Sequence, residues 1–141
     1  MGLVNKILNE AANIDSIITS IVRNLLFEWE EEYNIDPKDI SFGDCDKFAD
    51  DLKEKLAEQG ITSVILNSHM FHDKWDKKYD LDLAKKYGKV PENFIQIGLA
   101  EHYWVYVPAN NKHYDSDNSK GVNDMFQLPL YKRYYRHYNK K

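Results

Sequence analysis

Residues 102–116 read HYWVYV, then PANN, then KHYDS, so an aromatic and β-branched run is followed by a turn-forming segment and a second short run. Aromatic and β-branched residues favour extended chain, whereas Pro and Asn favour turns. The pattern predicts strands over 102–107 and 112–116 that are joined as a hairpin. A third apolar run, 94–99, is predicted as the strand that precedes them in an antiparallel meander.

The chain before this sheet carries the three- and four-residue spacing of apolar side chains that is typical of helices. In the first part of the chain this spacing predicts one long helix, or two with a break near 13–15, ending near Tyr33. A second helix is predicted over about 44–59, where Cys45 falls on the apolar face. The β-branched run at 61–67 is predicted as a strand.

The remaining segments complete a single α+β domain over 1–141. Residues 68–91 are predicted as an excursion with a short helix. Tyrosines at positions 131, 134, 135 and 138 follow helical spacing, which predicts an amphipathic terminal helix. The domain is thus divided into a helical N-terminal extension (1–36), a core (40–130) and a basic, Tyr-rich tail (131–141).

Composition limits the classes of partner. The chain of 141 residues has a formal net charge of −4, which disfavours nucleic acid as the general partner. The tail is an exception with five basic residues and no acids, but packing of its tyrosines on the domain is preferred to nucleic-acid binding. We find neither a signal-peptide pattern nor a membrane span, so the expected location is cytoplasmic, and a single cysteine excludes an internal disulfide.

Cys45 is therefore either a packing residue or a nucleophile. Its predicted place in the first turn of a helix favours a thiolate, because unpaired backbone N–H groups and the helix dipole stabilise negative charge there. Gly43 would let a substrate approach the backbone, and the backbone around Asp44 and Cys45 could help to hold an oxyanion.

A thiol nucleophile also needs a base, and the base needs an acceptor that orients it. His102 begins the predicted hairpin, and its second strand carries Asp115, with Asp117 just beyond. Because a shift of one residue in strand pairing turns a side chain to the other face, both acids remain candidates. Asp115 is preferred.

The segments GDCDKFA (43–49), HYWVYV (102–107) and YDS (114–116), with Gly-Val at 121–122 and Leu-Pro at 128–129, resemble the papain-like cysteine fold. The nearest members are small transglutaminase-like or amidase-like proteins of bacteria and phages. The resemblance covers roughly 40–130 and implies that a cysteine-bearing helix packs on an antiparallel sheet. It also implies that Cys45 is the nucleophile, His102 the general base and acid, and Asp115 the orienting group.

The sequence departs from the papain-like pattern at one position. Those peptidases usually carry a glutamine before the cysteine as an oxyanion donor, and no glutamine precedes Cys45 here. Gln96 or a backbone group is the expected substitute.

Two hypotheses about function follow from these residues. The first is a cysteine-dependent hydrolase or acyltransferase that acts on an amide bond of a protein or peptide and uses no cofactor. The second is a non-catalytic binding module on the same fold, such as a phage or mobile-element inhibitor of a host protein. A metal site at His69 and His72, spaced i and i+3 with Asp73 and Asp76 nearby, is considered and not preferred, because no cysteine or third histidine is tied to them.

Overall fold

The computed structural model describes residues 3–40, 43–71 and 77–139. Their α-helices are α1 (Leu3–Tyr33), α2 (Pro37–Ile40), α3 (Cys45–Glu58), α4 (Lys77–Lys85), α5 (Phe94–Ile97) and α6 (Pro129–Asn139). Their strands are β1 (Val64–Asn67), β2 (Tyr103–Val107), β3 (Lys112–Asp115) and β4 (Asn118–Val122), and 3₁₀ turns lie at Ser68–Phe71 and Met125–Gln127. The α+β class predicted from the sequence is confirmed.

The four strands form one antiparallel sheet in the order β1-β2-β3-β4. The predicted hairpin is present, with Val105 opposite Tyr114 and Val107 opposite Lys112. Asn111 in the connecting turn has a φ of 53°, a left-handed conformation that asparagine tolerates well. The fourth strand was not predicted, because its sequence NSKGV is largely polar.

Alternation along the strands divides the interior into two cores, one on each face of the sheet. The first core lies under α1 and α3 and contains Ile18, Val22, Leu25, Trp29, Ile40, Phe48, Ala49, Leu52, Leu56, Val105, Val107 and Tyr114. The second core lies between the other face and the later helices and contains Leu66, Phe71, Ala84, Phe94, Trp104, Met125, Phe126, Leu128, Leu130, Tyr131 and Tyr135.

The first helix is continuous. The break considered near 13–15 is absent, and α1 runs to Tyr33 as predicted. Its Trp29 side chain is buried and donates a hydrogen bond from its indole N–H to Asp51 of α3 at 3.0 Å. No helix among the described residues combines the length and apolar character needed to cross a membrane.

The strand predicted over 94–99 is wrong, because Phe94–Ile97 forms the short helix α5. Phe94 enters the second core, and Gly98, with a φ of 64°, ends the turn. The Tyr134 and Tyr135 hydroxyls on α6 donate hydrogen bonds to the carbonyls of Ile97 and Gly98. These hydrogen bonds satisfy backbone carbonyls at the end of α5 and so favour the helix. The apolar run itself is too short for its periodicity to distinguish a helix from a strand.

Gly121 in β4 is required by both its conformation and its surroundings. Its φ is +76°, and a Cβ at this position would lie 2.6 Å from the ring of Tyr114, which is fully buried. We expect Gly121→Ala to lower the free energy of unfolding by about 2–3 kcal/mol, from left-handed strain plus overpacking. Urea denaturation measures this loss.

Gly60 provides the matched control. It has a similar φ of +73°, but a Cβ there would meet nothing within 4 Å. Gly60→Ala should therefore cost only the backbone strain, about 1 kcal/mol. Equal losses for the two variants would contradict the role assigned to the Tyr114 contact.

Candidate thiol active site

Cys45 is the first residue of α3 because the chain turns sharply just before it. The N–H of Asp44 donates to the carbonyl of Ile40 at 2.9 Å, and the Asp44 carbonyl accepts from Phe48 at 2.9 Å, which starts the helix. The Asp44 side chain makes no capping hydrogen bond. The N–H groups of this first turn have no partner within the helix, so the thiol lies where a negative charge is favoured.

His102 and Asp115 form a buried pair at one end of the β2–β3 hairpin. The Nε2 atom of His102 lies 2.9 Å from Oδ2 of Asp115, and the side chains are 0% and 3% exposed. The other carboxylate oxygen of Asp115 accepts a hydrogen bond from the backbone N–H of Asp117 at 2.9 Å. Both oxygens of Asp115 are thus engaged, which fixes the direction in which it holds the imidazole.

The His102 ring is held on several sides. Its backbone N–H donates to the hydroxyl of Ser68 at 3.2 Å, and its carbonyl accepts from the N–H of Ser68 at 3.0 Å. The imidazole stacks on Trp104, with ring centroids 5.9 Å apart, and lies nearly perpendicular to the ring of Tyr131 at the same centroid distance. These contacts leave the ring little rotational freedom.

The remaining nitrogen of His102, Nδ1, has no aligned hydrogen-bond partner among the described residues. Burial by itself lowers the pKa of His102, but the interactions with Asp115 and with the nearby Cys45 outweigh the burial and raise the pKa to about 9. Because Asp115 engages Nε2, Nδ1 is the nitrogen left for the thiol. His102 is therefore a cation at neutral pH.

A cavity of about 870 Å³ opens beside Cys45. Its walls are formed by the start of α3, by the end of the α5–β2 loop with the first residue of β2, and by α6. The lining residues are Gly43, Cys45, Asp46, Ala100, Glu101, Tyr103, Leu130, Arg133, Tyr134, His137 and Tyr138. A narrower interior space behind Cys45 is lined in part by His102 and Asp115. The cysteine thus lies between the open cavity and its partners, as a nucleophile that meets a substrate must.

The structure brings three of the predicted residues together, Cys45, His102 and Asp115. Asp117, the alternative acid, lies behind Asp115, with Oδ2 at 3.3 Å from Nη2 of Arg133. Burial and the nearby charge of Asp115 raise the pKa of Asp117, although the hydrogen bond and the charge of Arg133 lower it in part.

The predicted oxyanion residues lie in different places. Gly43 lines the cavity, and a Cβ there would meet nothing within 4 Å. Asp44 precedes Cys45 at the helix start, with its side chain partly buried. Gln96 is exposed on α5 and is not among the residues that line the two spaces beside Cys45, so it does not provide the missing donor.

Sequence reasoning missed the contribution of α6 to this site. Tyr131 packs against His102, and Arg133 both lines the cavity and binds Asp117. The tyrosine spacing indicated that a helix would pack on the domain, but it did not indicate which surface the helix would cover.

A second buried histidine, His113, is structural. Its Nδ1 accepts a hydrogen bond from the Trp104 indole N–H at 2.9 Å. Burial lowers its pKa to about 4, and a backbone hydrogen bond with Tyr87 only partly opposes the shift. The ring is therefore neutral at pH 7 and supports Trp104, on which His102 stacks.

The metal site considered at His69 and His72 finds no support in the described part of the chain. No three His, Cys, Asp or Glu side chains there are grouped so that they could hold a metal ion. His69 is largely exposed and lies 3.7 Å from Glu101. His72 lies outside the described residues.

Compared with protein-family models, with curated proteins and with solved structures, the chain matches none of them. The papain-like relationship therefore stays a prediction, and inference about function rests on the geometry of the thiol site.

Proposed function

We propose that the protein is a cysteine-dependent hydrolase or acyltransferase that acts on an amide bond of a protein or peptide. The observation that carries the proposal is the buried His102–Asp115 pair with Nδ1 of His102 left open beside Cys45 at the wall of a large cavity. A packing cysteine needs neither an oriented base nor an adjoining cavity.

The reaction follows from these positions. The Cys45 thiolate attacks the carbonyl carbon of the amide, and the carbonyl electron pair moves to oxygen as a tetrahedral intermediate forms. His102 then donates its Nδ1 proton to the departing amine, which leaves a thioester on Cys45 and a neutral imidazole. Asp115 holds the ring in the required orientation throughout.

The second half of the reaction regenerates the site. The neutral His102 takes a proton from water, or from a second amine, as that group attacks the thioester. Collapse of the new tetrahedral intermediate expels the Cys45 thiolate and releases an acid or a new amide. The His102 imidazolium and the thiolate are both restored.

The oxyanion is assigned to backbone donors. The N–H of Cys45 belongs to the first turn of α3, where the helix offers its N–H groups no internal acceptor. Gly43 has open space where a side chain would stand, so the substrate carbonyl can approach this turn. Preorganised N–H groups of this kind stabilise the charge that develops in the transition state.

The test measures alkylation of Cys45 by iodoacetamide as a function of pH. We expect the wild-type rate to reach a plateau below the free-thiol pKa of about 8.5, because His102 stabilises the thiolate. In His102→Ala the rate at pH 6.5 should fall by about tenfold, since an unassisted thiol is about 1% ionised there and the lower nucleophilicity of an activated thiolate offsets part of the gain.

His102→Gln is the matched variant, because an amide can still donate a hydrogen bond to Asp115 and so preserve the fold, which circular dichroism checks. It should lose the plateau as His102→Ala does. A slow wild-type rate that neither variant changes would mean that Cys45 packs and does not react. The binding-module hypothesis would then stand, and Cys45→Ala would leave function intact.

A further inference from the structure

We propose that the cavity beside Cys45 accepts substrates with a positively charged side chain close to the scissile amide. This inference rests on the proposed function and names the substrate class for it. It is argued from the carboxylates, aromatic rings and cations that line the cavity.

Two carboxylates flank the thiol–imidazole pair in sequence and in space. Asp46 follows Cys45 on α3, Glu101 precedes His102, and both line the cavity. The Asp46 carboxylate has no hydrogen bond or ion pair among the residues described, and the contact of Glu101 Oε1 with His69 Nε2 at 3.7 Å joins two strongly exposed groups. Both carboxylates are thus available to a cation in the cavity.

Three tyrosines supply aromatic surface to the same space, Tyr103, Tyr134 and Tyr138. The Tyr134 hydroxyl is bound to the carbonyl of Ile97, which fixes the ring, and the rings of Tyr134 and Tyr138 lie edge to face at 4.9 Å. Tyrosine faces attract ammonium and guanidinium groups through their quadrupole. Carboxylates and tyrosines together favour an organic cation over a neutral or anionic group.

The cationic lining group does not cancel this preference. Arg133 binds Asp117 at 3.3 Å, so part of its charge is neutralised outside the cavity. The Arg133 side chain is 46% exposed, and His137 lies one helical turn beyond it on α6. An anionic substrate held by Arg133 and His137 is therefore the outcome that competes with the proposal.

The test uses the fact that Cys45 is the only cysteine in the chain, so a thiol reagent reports on this cavity alone. Two methanethiosulfonates of similar size are compared, one with a trimethylammonium group and one with a sulfonate. Their rate ratio is measured in the folded protein and in concentrated urea, which removes intrinsic reagent differences. We expect the ratio, cation over anion, to be about tenfold higher in the folded protein, because two carboxylates face one arginine, whose charge is partly neutralised by Asp117.

The site variant is Asp46→Asn with Glu101→Gln, which should bring the folded ratio to within about twofold of the urea value. Its control is Glu54→Gln with Glu58→Gln. These residues line a separate groove beside Trp29, and their replacement changes the net charge equally. The control pair should leave most of the preference in place.

A folded ratio equal to the urea value, or one that favours the sulfonate, would overturn the inference. So would an equal effect of the two variant pairs, since the preference would then reflect net charge. Failure of the proposed function is seen separately, with the neutral methyl methanethiosulfonate. If the proposed function is wrong, His102→Gln would leave the rate at which this neutral reagent modifies Cys45 unchanged. The rate ratio of the two charged reagents would still be measurable.

Discussion

Asp115→Ala is expected to lower the free energy of unfolding by about 3–5 kcal/mol, because it leaves a fully buried imidazole without its charged partner. Asp115 is 3% exposed and binds a histidine that has no access to water. A single domain is typically stable by only about 5–15 kcal/mol, so the loss is a large fraction of the total. Urea denaturation at pH 7 measures it, with Asp115→Asn as a milder variant that keeps the side-chain shape.

Asp117→Asn is the control for this prediction. The Asp117 side chain is 12% exposed, but its partner Arg133 is 46% exposed, and a pair with one partner in water contributes about 1 kcal/mol or less. The backbone N–H of Asp117, which binds Asp115, is retained in the variant. Equal losses for the two variants would mean that Asp115 has no special role in holding His102.

Stability is expected to fall by about 3 kcal/mol between pH 6.5 and pH 4, because His113 is buried as a neutral ring. Its pKa is lowered from 6.5 to about 4 by burial, despite the backbone hydrogen bond with Tyr87. Between these pH values the unfolded chain binds the proton more readily than the folded one. The contribution of His113 is therefore complete above pH 6.5 and is lost as the pH falls through about 4.

His113→Gln isolates this effect. An amide oxygen can accept the hydrogen bond from Trp104 without titrating, so the free energy of unfolding of the variant should change less between pH 6.5 and pH 4. At pH 7 the variant should be less stable than the wild type. Free energies of unfolding at pH 4, 5 and 6.5 make the comparison. If the stability of His113→Gln falls as steeply with pH as that of the wild type, the acid sensitivity comes from carboxylates and not from His113.

The parts of the fold predicted correctly are those whose signal is local. The β2–β3 hairpin was predicted because aromatic and β-branched runs flank a turn segment, and α3 because its buried residues repeat at helical spacing. Cys45, His102 and Asp115 were proposed together because a thiol nucleophile needs a base and the base needs an orienting acid, and because the segments that carry them resemble the papain-like fold. Their distances depend on strand register, which local pattern did not fix, and so Asp117 remained an alternative.

The parts that were missed depend on contacts distant in sequence. The helical form of α5 is favoured by tyrosine hydroxyls more than 30 residues later in the chain. The polar strand β4 is held by backbone pairing with β3 and by the close approach of Gly121 to Tyr114. The helical form of α5 and the extended form of β4 therefore cannot be predicted from the residues of these elements alone.

The position of the thiol between the two cores has a mechanical consequence. Cys45 is carried by α3, which packs in the first core, whereas His102 lies against Trp104 and Tyr131 of the second. Proteins open locally at far lower free energies than they unfold. A slight shift of α3 on the sheet would separate nucleophile from base, because the two residues are carried by different elements. The reactivity of the Cys45 sulfur would then report how firmly α3 packs on the sheet.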